Sequence, residues 1–284
     1  MVTIGIIGAG RIGKVHVESI ATRVAGATVK AVADPYMTDE AKAHFARWGV
    51  NEFYSDYHAI LADPAIDAVM VCSSTDTHAS ISIEALEAGK HVFCEKPVDH
   101  SLEKIAEVAE AVKKSGKKFQ VGFNRRFDHN FAAVRTAVEA GKIGDVHIVK
   151  ITSRDPAPPD PRYIKVSGGI FMDMTIHDFD MVAFLTGADV TEIFVAPAVL
   201  VDPAIGEQGD FDTAIITMKL SNGALAVIDN SRKAAYGYDQ RAEVFGSKGM
   251  VATSNDTLSS AVIADENGVT GEKPLYFFLE RYME

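Results

Sequence analysis

Val2-Thr3-Ile4-Gly5-Ile6-Ile7 runs directly into Gly8-Ala9-Gly10-Arg11-Ile12-Gly13. That juncture decides the fold. An apolar strand over Thr3–Ile7 meets a glycine-rich turn, and an amphipathic helix over Ile12–Arg23 leaves it. Gly8 permits the tight turn, Gly10 lets backbone come close to a pyrophosphate, and Gly13 lets the helix pack closely. The helix N-terminus then offers its free N–H groups and the positive end of its dipole to that negative charge. A second strand, Val29–Ala33, ends at Asp34, 21 residues beyond Gly13, where a carboxylate would bind the diol of an adenosine ribose. The same carboxylate would repel a 2′-phosphate, so the pattern predicts NAD over NADP, with Arg11 able to soften that preference.

The alternation continues through strands Ala68–Cys72, His91–Phe93 and Phe119–Val121 and helices Asp39–Trp48, His78–Ala88 and Leu102–Ser115. In the last helix Leu102, Ile105, Ala106, Val108, Ala109 and Val112 recur at helical spacing, with charges on the opposite side. Nearly continuous apolar strands suit a parallel sheet covered on both faces, and the strand–helix alternation implies a Rossmann doubly wound fold over residues 1–122. From 123 to 284 the strands lengthen: Val146–Ser153, Val190–Val201, Thr213–Leu220, Ala224–Asp229, Gln240–Phe245, Met250–Ala252 and Leu258–Ala264. Ser221-Asn222-Gly223 reads as a hairpin turn. This half is expected to be an α/β domain with a large, mostly antiparallel open sheet. Asp155-Pro156-Ala157-Pro158-Pro159-Asp160-Pro161 is too short for a linker and reads as a rigid loop near a substrate or a plain surface loop. Phe277–Glu284 reads as the start of an amphipathic helix without a Gly or Pro stop, so the last segment of this domain is expected to be missing.

A chain of 284 residues suits about two domains, and 47% hydrophobic with 24% charged residues excludes a disordered, collagen-like or disulfide-stapled protein. A net charge of −11 argues against a nucleic-acid surface but not against a local pocket for a small anion. Cys72 and Cys94 each end an apolar run and read as reduced, buried thiols of a cytoplasmic protein. His91 and Cys94 lack a second pair to complete a metal site, so none is expected. No apolar stretch approaches the ~20 residues of a membrane span, and no signal peptide is visible at the N-terminus, so the expected protein is soluble with no membrane partner.

Two further stretches carry chemistry. Cys94-Glu95-Lys96-Pro97 closes the fifth strand, where strand ends face the ligand crevice, and Pro97 restricts the direction in which Lys96 is presented. Gly168-Gly169-Ile170-Phe171-Met172-Asp173-Met174-Thr175-Ile176-His177-Asp178-Phe179-Asp180 opens a helix ending near Gly187. Asp173, His177 and Asp180, spaced four and three apart, are expected on one face, with the acid tuning the histidine as a general base.

Taken together, the Gly8–Gly13 loop, Cys94-Glu95-Lys96-Pro97 and the Asp173/His177 pair resemble the Gfo/Idh/MocA oxidoreductases. Gln120-Val121-Gly122-Phe123-Asn124-Arg125-Arg126-Phe127-Asp128 and Tyr236-Gly237-Tyr238-Asp239 support the resemblance, which runs from Val2 to about Tyr282. It implies a catalytic trio of Lys96, Asp173 and His177, and NAD contacts at Gly8, Gly10, Arg11, Ile12, Gly13, Asp34, Ser73, Ser74, Thr75, His78, Glu95 and Lys96. It implies a polyol pocket of Lys96, Arg126, Asp155, Asp173, His177, Asp180 and a tyrosine of the Tyr236–Tyr238 pair, Tyr236 first. The activity implied is NAD-dependent oxidation of a cyclic polyol, myo-inositol to the 2-keto inosose, as in inositol catabolism. Another inositol isomer or sugar, or a non-catalytic NAD or sugar sensor, is the alternative. Asp155 stands where such enzymes carry an amide and Ser153 where a histidine often occurs. The resemblance also implies a homo-oligomer, tetramer or dimer, built on the outer face of the second sheet.

Overall fold

Six short strands, none with more than one Lys, Arg, Asp or Glu, align in parallel: β1 (Val2–Ile7), β2 (Ala27–Ala33), β3 (Glu52–Tyr54), β4 (Ala68–Val71), β5 (His91–Cys94) and β6 (Phe119–Val121). Their order is β3-β2-β1-β4-β5-β6. Between them run α1 (Arg11–Arg23), α2 (Asp39–Arg47), α3 (His58–Ala62), α4 (Thr75–Glu87) and α5 (Leu102–Ser115). Successive strand residues point to opposite faces, and both faces are dry. Ile6, Val32 and Met70 pack with Val17, Ile20 and Phe45 of α1 and α2. Ile7, Ala33 and Val71 pack with Ile60, Ile81 and Leu86 of α3 and α4.

The computed structural model describes residues 1–266 and 268–282. The chain divides into two compact units, Met1–Phe123 and Asn124–Glu284. In the first, β3 and α3 are additions to the sequence reading; three and five residues are too few to show a period. On α5, Leu102 is 81% exposed and Ala106 and Ala109 are exposed, so the buried seam narrows to Val108 with half-buried Ile105, Ala111 and Val112.

The second unit begins with a 3₁₀ turn (Asn124–Phe127) and α6 (His129–Glu139). It then builds β7 (Val146–Arg154), α7 (Pro161–Ser167), a π turn (Phe171–Thr175), α8 (Ile176–Thr186), β8 (Val190–Ala198) and α9 (Pro203–Glu207). β9 (Thr213–Leu220), β10 (Leu225–Ser231), β11 (Asp239–Gly246) and β12 (Gly249–Ala252) complete the main sheet, in the order β12-β11-β7-β10-β9-β8. β7 and β10 pair in parallel and the other neighbours antiparallel. The β9–β10 hairpin turns at Gly223, whose φ of +87° needs glycine, with Gly223 N–H donating to the Leu220 carbonyl at 2.9 Å.

Among the described residues this sheet is covered on one face. Ala214, Ile216, Met218 and Leu220 of β9 pack with Phe131, Val134, Met181 and Leu185 from α6 and α8. The intervening Ile215 is 45% exposed, and Phe194 at 67% and Leu225 at 51% lie on the same outward face.

The strand expected over Leu258–Ala264 is instead the shorter β13 (Val262–Asp265), paired with β14 (Gly268–Gly271) as a separate ribbon. The proline-rich stretch runs into α7, where the Asp160 carboxylate accepts from Arg162 N–H at 2.8 Å. α10 (Phe277–Arg281) begins where the terminal helix was expected, and Met283 and Glu284 lie outside the described residues. Among the described residues no helix is long and apolar enough to cross a membrane.

Candidate active site

In the first unit the strand order reverses between β1 and β4, the place where open α/β sheets bind ligands at strand C-termini. Gly8 sits there at φ +109°, and a Cβ on it would lie 2.5 Å from the Cys72 carbonyl. A Cβ on Gly13 would lie 2.2 Å from Gly8 O, so the close approach that demands this glycine is to the loop backbone rather than to a strand. Gly10 differs: nothing lies within 4 Å of its would-be Cβ, and it begins α1 without any side-chain cap. Open space before uncapped helical N–H groups fits a pyrophosphate.

Asp34 Oδ2 accepts from Ala9 N–H and Oδ1 from Tyr36 N–H, each at 2.7 Å. A carboxylate offers about four lone-pair directions, so both oxygens can still receive ribose hydroxyls. Arg11 is exposed and Ile12 half-buried on the first turn of α1.

Opposite the loop, Ser74 precedes α4, Thr75 is its first residue, and Ser73 Oγ lies 2.6 Å from Thr77 Oγ1. His78 is buried, with Nδ1 2.8 Å from the Pro97 carbonyl oxygen and Nε2 3.1 Å from that of Ser73. Its ring therefore ties the Ser73 loop to the turn that presents Lys96. Lys96 is half-buried beside a cis peptide bond to Pro97, and Glu95 Oε1 lies 2.6 Å from His16 Nε2. Cys72 and Cys94 are free, buried thiols; burial pushes both up, Cys94 to about 12, which leaves them unreactive.

In the second unit Asp173 lies on the π turn, while His177 and Asp180 lie on the regular helix α8. The wider turn breaks the uniform spacing on which a single shared face depends, so the expectation of one face does not extend to Asp173. Asp173 Oδ1 accepts from Tyr163 Oη at 2.9 Å and Oδ2 from Arg232 NH1 at 3.0 Å. His177 is half-buried on the first turn of α8. Asp180 is held by Arg126, whose Nε donates at 2.8 and 3.1 Å and NH2 at 2.5 Å. Asp155 follows β7; burial pushes its carboxyl up to about 6, against the pull of Arg232. Tyr236 Oη donates to Asp239 Oδ2 at 2.5 Å and accepts from Arg154 NH1 at 2.9 Å.

Beneath α8 lies a buried polar floor. Arg125 donates through NH1 to Asp178 and through NH2 to Ser153 Oγ at 3.1 Å. Asn230 donates to Asp178 Oδ2 at 2.9 Å and accepts from Thr175 Oγ1 at 2.6 Å. Burial works against the Arg125 charge, and Asp178 more than restores it. Ser153 is thus a member of this floor, fully buried and donating to Gln240 Oε1 at 3.1 Å. Sequence reading assigned no role to Arg125, Tyr163, Asn230 or Arg232; Arg125 lay inside a quoted motif, whereas the others carry no local signal.

Among the described residues, Asp128, His129 and Asp256 bring ligand atoms within 4.8 Å of one another. Asp128, however, caps α6 at Phe131 N–H and pairs with Arg281, which accounts for that carboxylate without a metal.

The family described as Gfo/Idh/MocA oxidoreductase, NAD-binding Rossmann fold, matches residues 2–123, and the Gfo/Idh/MocA C-terminal domain matches 131–252. The chain is 50% identical over 281 residues to myo-inositol 2-dehydrogenase of Thermotoga maritima, covering 99% of this chain and 84% of that one. It is 48% identical over 284 residues to inositol 2-dehydrogenase of Rhizobium meliloti, covering 100% and 84%. Scyllo-inositol dehydrogenase from Lactobacillus casei, solved with bound NAD(H) and scyllo-inositol, superposes with a TM-score of 0.91 at 31% identity, covering 99% of this chain and 84% of that one.

Proposed function

This chain belongs to the Gfo/Idh/MocA oxidoreductase family, and on that premise we propose that it is an NAD-dependent dehydrogenase of a cyclic polyol, oxidising myo-inositol to the 2-keto inosose ahead of other isomers. Gly8, Gly10, Gly13 and the N-terminus of α1 would hold the cofactor's pyrophosphate, and Asp34 its adenosine ribose. NAD, when bound, supplies the hydride acceptor. As the carbon loses hydride, a ring nitrogen of His177 takes the hydroxyl proton, and the C–O bond becomes a carbonyl. The Lys96 ammonium offsets the negative charge growing on that oxygen. Asp173, with a donor on each oxygen, orients the site. Arg126, Asp155, Asp180 and Tyr236 face the remaining hydroxyls.

The observation that carries this reading is the match to inositol dehydrogenases over nearly the whole chain. Its test is a panel of initial rates with NAD and with NADP across inositol isomers and sugars. Myo-inositol with NAD is expected to give the highest kcat/KM. A protein that binds NAD yet reduces none with any polyol or sugar would sink the reading and fit a sensor instead. Exposed Ile148, Phe194, Leu225 and Phe245 on the outer face of the second sheet support self-association there, as a tetramer or dimer. The two reduced thiols support a cytoplasmic location.

A further inference from the structure

Asp155 and Arg232 are the residues that immediately follow the parallel strands β7 and β10, whose last pair is Arg154 with Ser231. Parallel pairing sends both to the same end of the sheet. The backbone locks them there: Asp155 N–H donates to Ser231 O at 2.9 Å, Ala234 N–H to Asp155 O at 2.7 Å, and Arg232 N–H to Asp212 O at 2.7 Å. The Arg232 side chain is 2% exposed, with NH1 3.0 Å from Asp173 Oδ2 and 3.8 Å from Asp155 Oδ2.

Burying a guanidinium is costly unless its charge and donors are met. Arg125, equally buried, spends NH1 on Asp178 and NH2 on Ser153, as a scaffold arginine does. Arg232 has Nε and NH2 buried with no partner among the described residues, and its hydrogen bonding to Asp173 is concentrated in NH1. An arginine retained only for the fold would be poorly served by this arrangement; one retained for two carboxylates is well served.

Resting on the reading of Asp173 as a residue of the polyol site, we propose that Arg232 is a positioning residue that acts through Asp173 and Asp155, fixing the first in orientation and standing as the cation beside the second. Asp155 faces Arg232 after β10, Asp173 on the π turn, Arg125 on the 3₁₀ turn and Asp178 on α8, and its charge is also felt by Tyr238. Burial and the two acids favour its protonated form; the two arginines oppose them. A group whose folded-state value is raised loses its charge as pH falls through about 6. Without the Arg232 cation that loss moves to higher pH.

The test compares the full chain with Arg232→Gln and Arg232→Lys. Three quantities are read: the Asp155 carboxyl titration by ¹³C NMR, the pH profile of kcat/KM for myo-inositol, and the Kd for NAD, whose loop lies in the other unit. Arg232→Gln is expected to raise the Asp155 midpoint and the acid limb of the profile together, by about one pH unit or more. It is expected to lower kcat/KM at pH 7 roughly 10- to 100-fold, with the Kd for NAD unchanged. Arg232→Lys keeps the cation and is expected to keep the limb in place while kcat falls severalfold, because a rotating ammonium does not aim a donor at Asp173 as the rigid guanidinium aims NH1. If Arg232→Gln does not fold, the lysine variant carries the test alone, and wild-type kcat with a wild-type limb overturns the proposal. An unmoved Asp155 midpoint in Arg232→Gln, or a loss of NAD binding in proportion to the loss of turnover, also overturns it. Failure of the wild-type chain to oxidise any polyol overturns the proposed function instead, and the NMR titration, which needs no turnover, still decides whether Arg232 governs Asp155.

Discussion

The two sheets bury their residues by opposite rules, and the difference separates two kinds of site. In the first unit both faces are covered, so strand interiors are almost wholly apolar and polar chemistry is pushed to the strand ends. What stands there is largely backbone: the φ of Gly8, the open Gly10, and the carbonyls of Ser73 and Pro97 on either side of the His78 ring. In the second unit one face is covered, and polar side chains enter the covered side itself, with Asn230, Ser153 and Asp178 each fully buried. A site built from backbone is sensitive to side-chain volume. A site built from buried side chains is sensitive to charge.

The largest effect is expected where charge and chemistry coincide. His177→Ala should lower kcat by ~10²–10⁴-fold, the range for a lost general base, with the Kd for NAD little changed. Steady-state turnover at neutral pH checks this, and unchanged turnover removes His177 from its role. Next comes the floor beneath it. Asp178→Ala leaves the Arg125 guanidinium, 4% exposed, without its carboxylate, and breaking a buried pair on one side costs about 3–5 kcal/mol. Chemical denaturation should show that loss in the second unit, whereas the first-unit pair Lys113–Glu110, 72% exposed on both sides, should lose well under 1 kcal/mol on Glu110→Ala. Equal losses would erase the contrast between the units.

The same contrast explains what could be read in advance. Glycine positions, the strand–helix alternation and Asp34 are local, so the first unit and its cofactor loop were legible from spacing alone. α5 shows the limit: its period was visible, but which of its apolar residues face solvent depends on neighbours, and Leu102 does. In the second unit alternation gave β9 to the residue, yet the site depends on which strands are adjacent. Nothing near Arg232 in the chain tells of Asp173, 59 residues earlier, and only the parallel pairing of β7 with β10 brings Asp155 to it. The π turn escaped for a related reason: Phe171–Thr175 reads as ordinary helix by composition.

The backbone-built site can be probed by two glycines three residues apart, Gly10 at the cap of α1 and Gly13 in its first turn. Gly13→Ala places a methyl 2.2 Å from Gly8 O, a contact that backbone cannot yield, and should cost roughly 1–3 kcal/mol of stability. Gly10→Ala meets nothing within 4 Å and should leave stability within ~0.5 kcal/mol. It should nonetheless weaken NAD on the order of tenfold, about 1.4 kcal/mol, because the methyl occupies the space left for the pyrophosphate. Denaturation midpoints and NAD titrations on the two variants separate the roles, and a Gly10→Ala protein that binds NAD as wild type removes that residue from the cradle.

Asp34 carries the smallest expected effect and the sharpest comparison, because its carboxylate does two things. It accepts from Ala9 and Tyr36 N–H, which shapes the loop, and it is proposed to discriminate between a ribose diol and a 2′-phosphate. Asp34→Ala removes both functions, so the absolute Kd for either cofactor mixes them. The ratio of the two Kd values does not: the damage to the loop is common to NAD and NADP and cancels. Loss of the ribose acceptor weakens NAD, and loss of the negative charge relieves NADP, so the ratio should move toward NADP by about fivefold to tenfold, or roughly 1 kcal/mol. Equal weakening of both cofactors would assign Asp34 to the loop alone and leave the preference for NAD to other residues.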